Sequence, residues 1–138
     1  MEITRKTDYA IRMLMHLAIE DEGQPISVRR LAELGDVPYS FARAVQRDLS
    51  SARLVHTTRG AKGGMRLARA PEDITLLEII TAMQGAPSLS MCATDPSWCH
   101  RSPGCTVHRV WIGANDYLGS YFGGITLESL ISEKAGDQ

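Results

Sequence analysis

Residues 27–52 read SVRRLAELGDVPYSFARAVQRDLSSA and contain two amphipathic helical patterns separated by a tight turn. Ser27 is predicted to cap a short helix that closes at Gly35, because serine hydroxyls accept hydrogen bonds from free N–H groups. The turn Asp36-Val37-Pro38 then leads to a second helix from about Tyr39 to Ala52. Apolar residues recur in it every three or four positions, at Phe41, Val45, Leu49 and Ala52. A short helix, a tight turn and a second amphipathic helix predict a helix-turn-helix.

The opposite face of the second helix carries side chains that can reach base edges or phosphates in a DNA major groove. They are Tyr39, Ser40, Arg43, Gln46 and Arg47. Two short β-prone runs follow, residues 54–58 and 65–68, around the basic, glycine-rich segment RGAKGG at 59–64. This pattern predicts a β-hairpin wing with Arg59 and Lys62 at its tip. A phosphate-binding P-loop is disfavoured, since no Gly-Lys-Ser/Thr ends the segment and a strand follows it.

The flanking segments predict further helices. Thr7 is expected to cap a first helix over about 8–21, and another is predicted from Leu76 to about Gln84. From Cys105 onward, Val107, Val110, Ala114, Tyr117 and Tyr121 form a stripe suited to packing between two subunits. We therefore expect a mainly α-helical chain with three parts. Residues 1–85 form a winged helix-turn-helix with a small β-hairpin wing, 86–104 a cysteine-rich loop, and 105–138 a long dimerisation helix with a C-terminal segment.

Composition suits a globular protein, with 43% hydrophobic and 22% charged residues and a net charge of −1. The charge is unevenly distributed, since residues 1–70 carry +4 and residues 71–138 carry −5. A basic N-terminal half favours a phosphate-bearing partner such as double-stranded DNA. The start is polar and no apolar run reaches membrane length, so we expect a cytoplasmic protein with no membrane partner. No pattern typical of a catalytic site stands out, so we do not expect an enzyme.

All three cysteines lie within residues 92–105, in the segment CATDPSWCHRSPGC, with a histidine at 108. Ser102-Pro103 is typical of a helix start, which would place Cys105 in a first turn that favours a thiolate. His108, at i+3, would then share a face with Cys105. Unpaired thiols, a disulfide with one cysteine left over, a Cys3His zinc site and an iron–sulfur cluster all remain compatible with this spacing.

Four motifs in order give the chain a family resemblance. They are ITRKTDYA at 3–10, RGAKGG at 59–64, ITLLEII at 74–80 and the three-cysteine loop. Together they resemble the Rrf2 family of bacterial winged-helix regulators, the group of the IscR, NsrR and RirA types, over nearly the whole chain. The resemblance implies a homodimeric transcription factor, expected to be a repressor, that binds a near-palindromic operator. It also implies one iron–sulfur cluster per subunit, which favours iron over zinc at Cys92, Cys99 and Cys105.

The resemblance offers two candidates for the fourth ligand. His108 stands where the IscR type has a cluster histidine, and Asp8 where some NsrR-like members have a carboxylate from the partner subunit. The motifs look more NsrR-like, so we expect Asp8, with a 4Fe–4S cluster preferred to 2Fe–2S. The expected signals are redox state, nitric oxide or iron and cluster status. The alternatives are a zinc-stapled winged-helix protein and a small redox enzyme.

Overall fold

A computed structural model describes residues 1–136 and the side chains of residues 1–133, so the last two residues of the predicted C-terminal segment lie outside it. Its helices and strands are α1 (Arg5–Ile19), α2 (Val28–Gly35), α3 (Tyr39–Ser51), β1 (Val55–Thr58), β2 (Gly64–Leu67), α4 (Leu76–Gln84), α5 (Met91–Thr94), α6 (Thr106–Gly123) and α7 (Leu127–Gly136). Short 3-10 turns cover Pro71–Asp73, Pro96–Trp98 and Ser102–Gly104. The predicted mainly helical fold with a small hairpin is confirmed.

Helix α1 begins one turn earlier than predicted, because Thr4 rather than Thr7 caps it. The Thr4 Oγ1 accepts from the Thr7 N–H at 3.1 Å. Thr7 lies fully buried inside the helix, where its hydroxyl donates to Gln84 Oε1 at 2.6 Å. The prediction chose the wrong threonine because a partner so distant along the chain leaves no local signal.

The helix-turn-helix forms as predicted. Ser27 Oγ accepts from the Arg30 N–H at 3.1 Å and caps α2. The chain reverses at Asp36, whose φ of 53° is left-handed and is tolerated better by aspartate than by most residues. Helix α3 packs through Ala42, Val45 and Leu49. Phe41, predicted to face inward, is instead exposed, and its ring packs against the Tyr9 ring in a T-shaped arrangement with the centroids 5.1 Å apart.

The wing is a two-stranded antiparallel hairpin in which Val55 pairs with Leu67 and Thr58 with Gly64. A two-way backbone bridge between Ile26 and Met65 ties it to the start of α2, at 3.0 and 2.7 Å. A Cβ atom on Gly64 would lie 2.3 Å from the Ile26 carbonyl oxygen, so this close approach requires glycine. The wing is therefore held in a fixed position beside the helix-turn-helix.

Helix α4 connects the winged domain to the cysteine-rich loop. A capping box starts it, since Thr75 Oγ1 accepts from the Glu78 N–H and Glu78 accepts from the Thr75 N–H, at 3.2 and 3.0 Å. The core beneath it joins α1 to α3, the wing and α7, where Leu127 is fully buried.

Within residues 1–136, none of the helices has the length and apolarity needed to cross a membrane.

Candidate functional site

The outer face of α3 and the wing enclose one groove of about 750 Å³. Five of the seven residues predicted to contact DNA line it: Tyr39, Arg43, Gln46, Arg47 and Arg59. Ser40 and Lys62 are exposed nearby but do not line the groove. Four of the five come from one helix face because α3 buries the opposite stripe, and Arg59 comes from the hairpin tip. The structure therefore gathers most of the predicted DNA face.

Three arginines line the groove, and no acidic residue is among its lining residues. Between residues 43 and 69 the sequence has seven basic residues and one acidic residue, Asp48. That carboxylate is held by Lys6 from α1 in a half-buried ion pair. Because Asp48 is paired with Lys6, the arginines of the groove have no unpaired acidic residue between positions 43 and 69. This arrangement favours the binding of a polyanion. Arg29 also stacks over the Tyr39 ring, 4.2 Å from its centroid, and so fixes one edge of the groove.

Sequence reasoning missed the hydroxyl-bearing residues of the same groove, Ser27, Ser50, Ser51, Thr57 and Thr58. Hydroxyls can donate to phosphate oxygens. Thr57 and Thr58 are consecutive residues of β1, so strand alternation would have assigned only one of them to the groove. Ser27 was recognised only as a helix cap, although a cap residue at the groove also presents the positive end of α2 to it.

The three cysteines lie between α4 and α6, each in or at the end of a short helical element. Cys92 is buried in the single turn of α5, while Cys99 and Cys105 are half-buried where two 3-10 turns end. All three thiols are free, so the disulfide alternative does not form in this structure. Of the four explanations left open by the spacing, unpaired thiols or a bound metal remain.

The predicted helix start at Ser102-Pro103 is wrong. Those residues form a 3-10 turn, and α6 begins at Thr106 with Cys105 as its cap residue. The N–H of Cys105 donates to the Ser102 carbonyl at 3.3 Å, which closes the turn before α6 begins. Cys105 therefore stands just outside the first turn rather than within it.

Helix α6 places His108 beside Cys92. The His108 Nδ1 lies 3.3 Å from the Cys92 Sγ. On the other side, the Ser90 hydroxyl lies 3.1 Å from the same sulfur. Among the described side chains, no group of three or more His, Cys, Asp or Glu is arranged to hold a metal ion. The structure thus assembles one pair of candidate ligands, with Cys99 and Cys105 nearby in the same loop.

Asp8 is in the first turn of α1 and is exposed. Its Oδ2 accepts two hydrogen bonds from Arg12, at 2.9 and 3.2 Å. The same guanidinium donates to the carbonyl of Gly35 at 2.9 Å and to that of Asp36 at 3.3 Å. Arg12 therefore links Asp8 to the turn of the helix-turn-helix.

Gln84 connects the end of α4, just before the cysteine-rich loop, to the start of α1. Its Oε1 accepts from the Thr4 N–H at 2.9 Å and from the Thr7 hydroxyl at 2.6 Å. Its Nε2 donates to the Glu2 carbonyl at 2.8 Å. The base of the loop and the N-terminal segment are therefore held together by one side chain.

Helix α6 buries none of its 18 residues in the single chain. Five of its large apolar side chains are exposed, among them Tyr117 at 83% and Tyr121 at 66%. An apolar groove of about 630 Å³ runs along this face, lined by Leu89, Val110, Gly113, Ala114, Tyr117, Leu118 and Tyr121. Four of the five residues of the predicted stripe line it. An apolar patch of this kind is typical of a surface that a partner covers.

Comparison with known proteins gives one consistent result. A family model described as "Rrf2: Iron-dependent Transcriptional regulator" matches residues 3–133. The HTH-type transcriptional regulator NsrR of Shouchella clausii is 30% identical over 111 residues, which cover 80% of this chain and 74% of the relative.

Solved structures agree on the fold. CymR, the global cysteine regulator of B. subtilis, superposes with a TM-score of 0.74 at 26% identity, covering 96% of this chain and 98% of CymR. IscR of T. potens gives a TM-score of 0.78 at 23% identity, covering 100% of this chain and 91% of IscR. The predicted winged-helix architecture is confirmed by these likenesses.

Proposed function

Because this chain belongs to the Rrf2 family of DNA-binding transcriptional regulators, we propose that its cysteine-rich loop holds an iron–sulfur cluster whose state controls DNA binding. The predictions of a transcriptional regulator and of a protein that is not an enzyme are confirmed by the family and by the relatives. We also propose the DNA contacts, the dimer and the ligands of the cluster.

The groove between α3 and the wing is the proposed DNA-binding surface. Arg43, Gln46 and Arg47 would reach base edges or phosphates, with Tyr39 and Ser40 at the start of the same helix. Arg59 and Lys62 would contact the flanking backbone from the wing tip. The placement of α3 suits a major groove, which admits one helix. The ion pair between Lys6 and Asp48 supports this role, since it neutralises the one acidic residue between positions 43 and 69.

The proposed dimer forms through α6. An 18-residue helix with no buried residue and an apolar groove along one face is costly to leave in water. A second copy would cover it with the same stripe, as two-fold symmetry requires. Two α3 helices in such a dimer would read a near-palindromic site with half-sites separated by whole helical turns.

The donor chemistry of the loop fits an iron–sulfur cluster. The three free thiols lie in one stretch of 14 residues, which is short and irregular and packs on α6. In the same loop the Ser102 hydroxyl is buried without a hydrogen-bond partner, as expected of a residue beside a group that the protein binds. When bound, a thiolate-ligated iron centre supplies a site that responds to oxidation, to nitric oxide and to iron supply. Cys92, Cys99 and Cys105 would hold it.

The state of the cluster would affect DNA binding through contacts at the two ends of the cysteine-rich loop. Cys105 is the cap residue of α6, so its position affects where the dimerisation helix starts. Gln84 precedes the loop and holds Thr4 and Thr7 at the start of α1. A loop that changes shape would therefore move both the subunit interface and the helix that Lys6 ties to α3.

Asp8 of the partner subunit is the proposed fourth ligand, with His108 the rival. Asp8 is exposed and its Oδ1 accepts no hydrogen bond from the described residues, so one oxygen is available to a neighbouring chain. His108 is half-buried and its Nδ1 already lies beside the Cys92 sulfur. Ligation by Asp8 would also restrain Arg12 and, through it, the turn between α2 and α3.

One observation carries the cluster proposal: all three cysteines are free and lie in the loop that joins α4 to α6. Replacing Cys92, Cys99 or Cys105 singly with alanine should remove most visible absorbance of anaerobically purified protein while leaving helical content unchanged. Full iron and sulfide content in all three variants would refute the assignment. A colourless wild-type protein containing zinc would favour the zinc-stapled alternative.

The fourth ligand is tested with three more variants. Asp8→Ala should alter the visible spectrum and speed cluster loss, whereas His108→Ala should leave both close to wild type. His100→Ala is the control, because His100 is exposed in the same loop and is not a proposed ligand. A spectrum changed by His108→Ala but not by Asp8→Ala would assign the ligand to His108 instead.

The DNA surface is tested by salt dependence. Lys62→Ala should weaken binding to every duplex and reduce the slope of log affinity against log salt by about one unit. Arg43→Ala should cost about 1–3 kcal/mol and relax sequence preference at one position. Arg101→Ala removes the same charge from the exposed cysteine-rich loop and should leave the slope unchanged. An unchanged slope for Lys62→Ala would exclude the wing contact.

A further inference from the structure

Ser102 has the one buried side-chain oxygen without a hydrogen-bond partner among the described residues. The residue is 6% exposed, and it lies between Cys99 and Cys105. A buried hydroxyl that makes no hydrogen bond loses its contacts with water and gains nothing in return. Such a group is expected to have a partner that is not part of the chain.

The backbone of Ser102 is fixed to both neighbouring cysteines. Its N–H donates to the Cys99 carbonyl at 3.1 Å, and its carbonyl accepts from the Cys105 N–H at 3.3 Å. These bonds form two consecutive tight turns and hold Ser102 at their junction. Although serine before proline is a common helix cap, this hydroxyl caps no helix. Its burial therefore has no explanation in local secondary structure.

The other hydroxyls of the segment all have partners. Ser90 lies 3.1 Å from the Cys92 sulfur, Thr94 donates to Ser88 at 2.6 Å, and Ser97 donates to Asp95 at 2.6 Å. The missing partner is thus specific to Ser102 and not a general property of the loop. Ser90 also provides an example, in the same loop, of a serine hydroxyl beside a cysteine sulfur.

We propose that Ser102 is part of the cluster site and that its hydroxyl donates a hydrogen bond to a sulfur atom there, either a cysteine thiolate or an inorganic sulfide. The proposal rests on the proposed iron–sulfur function. A hydrogen bond to sulfur stabilises the more negative, reduced state and so raises the reduction potential. Ser102 would set how easily the site is oxidised, while the thiolates determine whether it forms.

The test compares Ser102→Ala with Ser97→Ala, which removes the same atom from an exposed, partnered hydroxyl in the same loop. In redox titrations of the anaerobically prepared proteins, Ser102→Ala should have the lower midpoint potential. Each tenfold change in the equilibrium constant for one-electron reduction of the cluster shifts this midpoint potential by about 59 mV. Ser97→Ala should match the wild type.

The second measurement is the stability of the metal-free proteins. Ser102→Ala should unfold at the same denaturant concentration as wild type or higher, because it removes a buried group that lacks a partner. A metal-free Ser102→Ala protein less stable than wild type would show a partner within the chain and overturn the proposal. An unchanged potential would also overturn it. A wild-type protein that binds no iron would overturn the proposed function as well, so the two failures are distinguishable.

Discussion

Replacing Gln84 with alanine should loosen the connection between the cysteine-rich loop and α1. Gln84 is half-buried at the C-terminal end of α4 and makes three hydrogen bonds, to the Thr4 N–H, the Thr7 hydroxyl and the Glu2 carbonyl. All three partners lie about 80 positions away along the chain. The substitution leaves the helix intact, since alanine has the highest helix propensity. Any loss of stability therefore reports these bonds.

The magnitude follows from their burial. A net hydrogen bond contributes about 0.5–1.5 kcal/mol, and the bonds to Thr4 and Glu2 are exposed enough for water to replace them. Thr7 is fully buried, but its hydroxyl keeps a second neighbour, Thr4 Oγ1, at 2.9 Å. No buried group is orphaned, so we expect a loss of about 1–2 kcal/mol.

Urea denaturation of metal-free protein measures this loss as a lower midpoint with an unchanged slope. Gln24→Ala, in the exposed turn after α1, is the matched control and should stay within about 0.5 kcal/mol of wild type. In a double-mutant cycle with Thr7→Val, coupling of about 1 kcal/mol is expected. If Gln84→Ala is no less stable than Gln24→Ala, Gln84 does not hold α1, and the proposed route from loop to DNA-binding domain fails.

Three further predictions concern the wing, α4 and α6. Gly64→Ala should lower the free energy of unfolding by about 2–3 kcal/mol, because the new Cβ would meet the Ile26 carbonyl. The control Gly23→Ala has a φ of +83° but open space around it, and it should cost about 1 kcal/mol. Equal losses for the two variants in denaturation experiments would exclude the clash. Burial raises the pKa of Glu78, but hydrogen bonds from Thr75 and the hydrogen bond and charge of Arg69 outweigh it, so the pKa lies below its usual 4.5. Charged Glu78 thus stabilises the fold above that value, and this stabilisation is lost as pH falls through the lowered pKa. Glu78→Gln should therefore cost less than about 1 kcal/mol of unfolding free energy at neutral pH, since the ion pair is partly exposed. The difference in stability between Glu78→Gln and wild type should vanish in acid. Tyr117→Asp should halve the molecular mass measured by sedimentation, from dimer to monomer, without destabilising the monomer. Arg109 lies outside the apolar groove, so Arg109→Asp should leave the measured mass unchanged. A Tyr117→Asp protein that is still dimeric would exclude this face as the interface.

Sequence alone predicted the DNA-binding domain well because its signals are local. Ser27 is a strong cap, and the apolar periods of α2 and α3 identify which faces are buried. The bounds of α2 and α4 agree with those predicted. Phe41 and Ala52 are the exceptions, because both are exposed. Helix α3 ends at Ser51, and it buries Ala42 while the Phe41 ring lies against Tyr9. A hydrophobic period alone does not distinguish two adjacent positions at the edge of a stripe.

The cysteine-rich loop was less predictable because long-range packing shapes it. Ser102-Pro103 carries a helix-start signal, yet the chain makes a 3-10 turn there and delays α6 until Thr106. His108 was predicted to share a helix face with Cys105, and nothing local indicated its contact with Cys92, sixteen residues away. Gln84 showed no local sign of its role. In each case the deciding partner is distant in sequence.

Control of DNA binding by the cysteine-rich loop is tested by comparing the DNA affinity of one preparation with and without its cluster. A binding site is first selected from random-sequence duplexes, and anisotropy is then measured under argon before and after iron is removed by a chelator. We predict affinities that differ at least about tenfold, a coupling near 1.4 kcal/mol, and no difference for the variant lacking Cys92, Cys99 and Cys105. Equal affinities for the iron-loaded and iron-free wild-type protein would contradict the claim that this loop controls DNA binding.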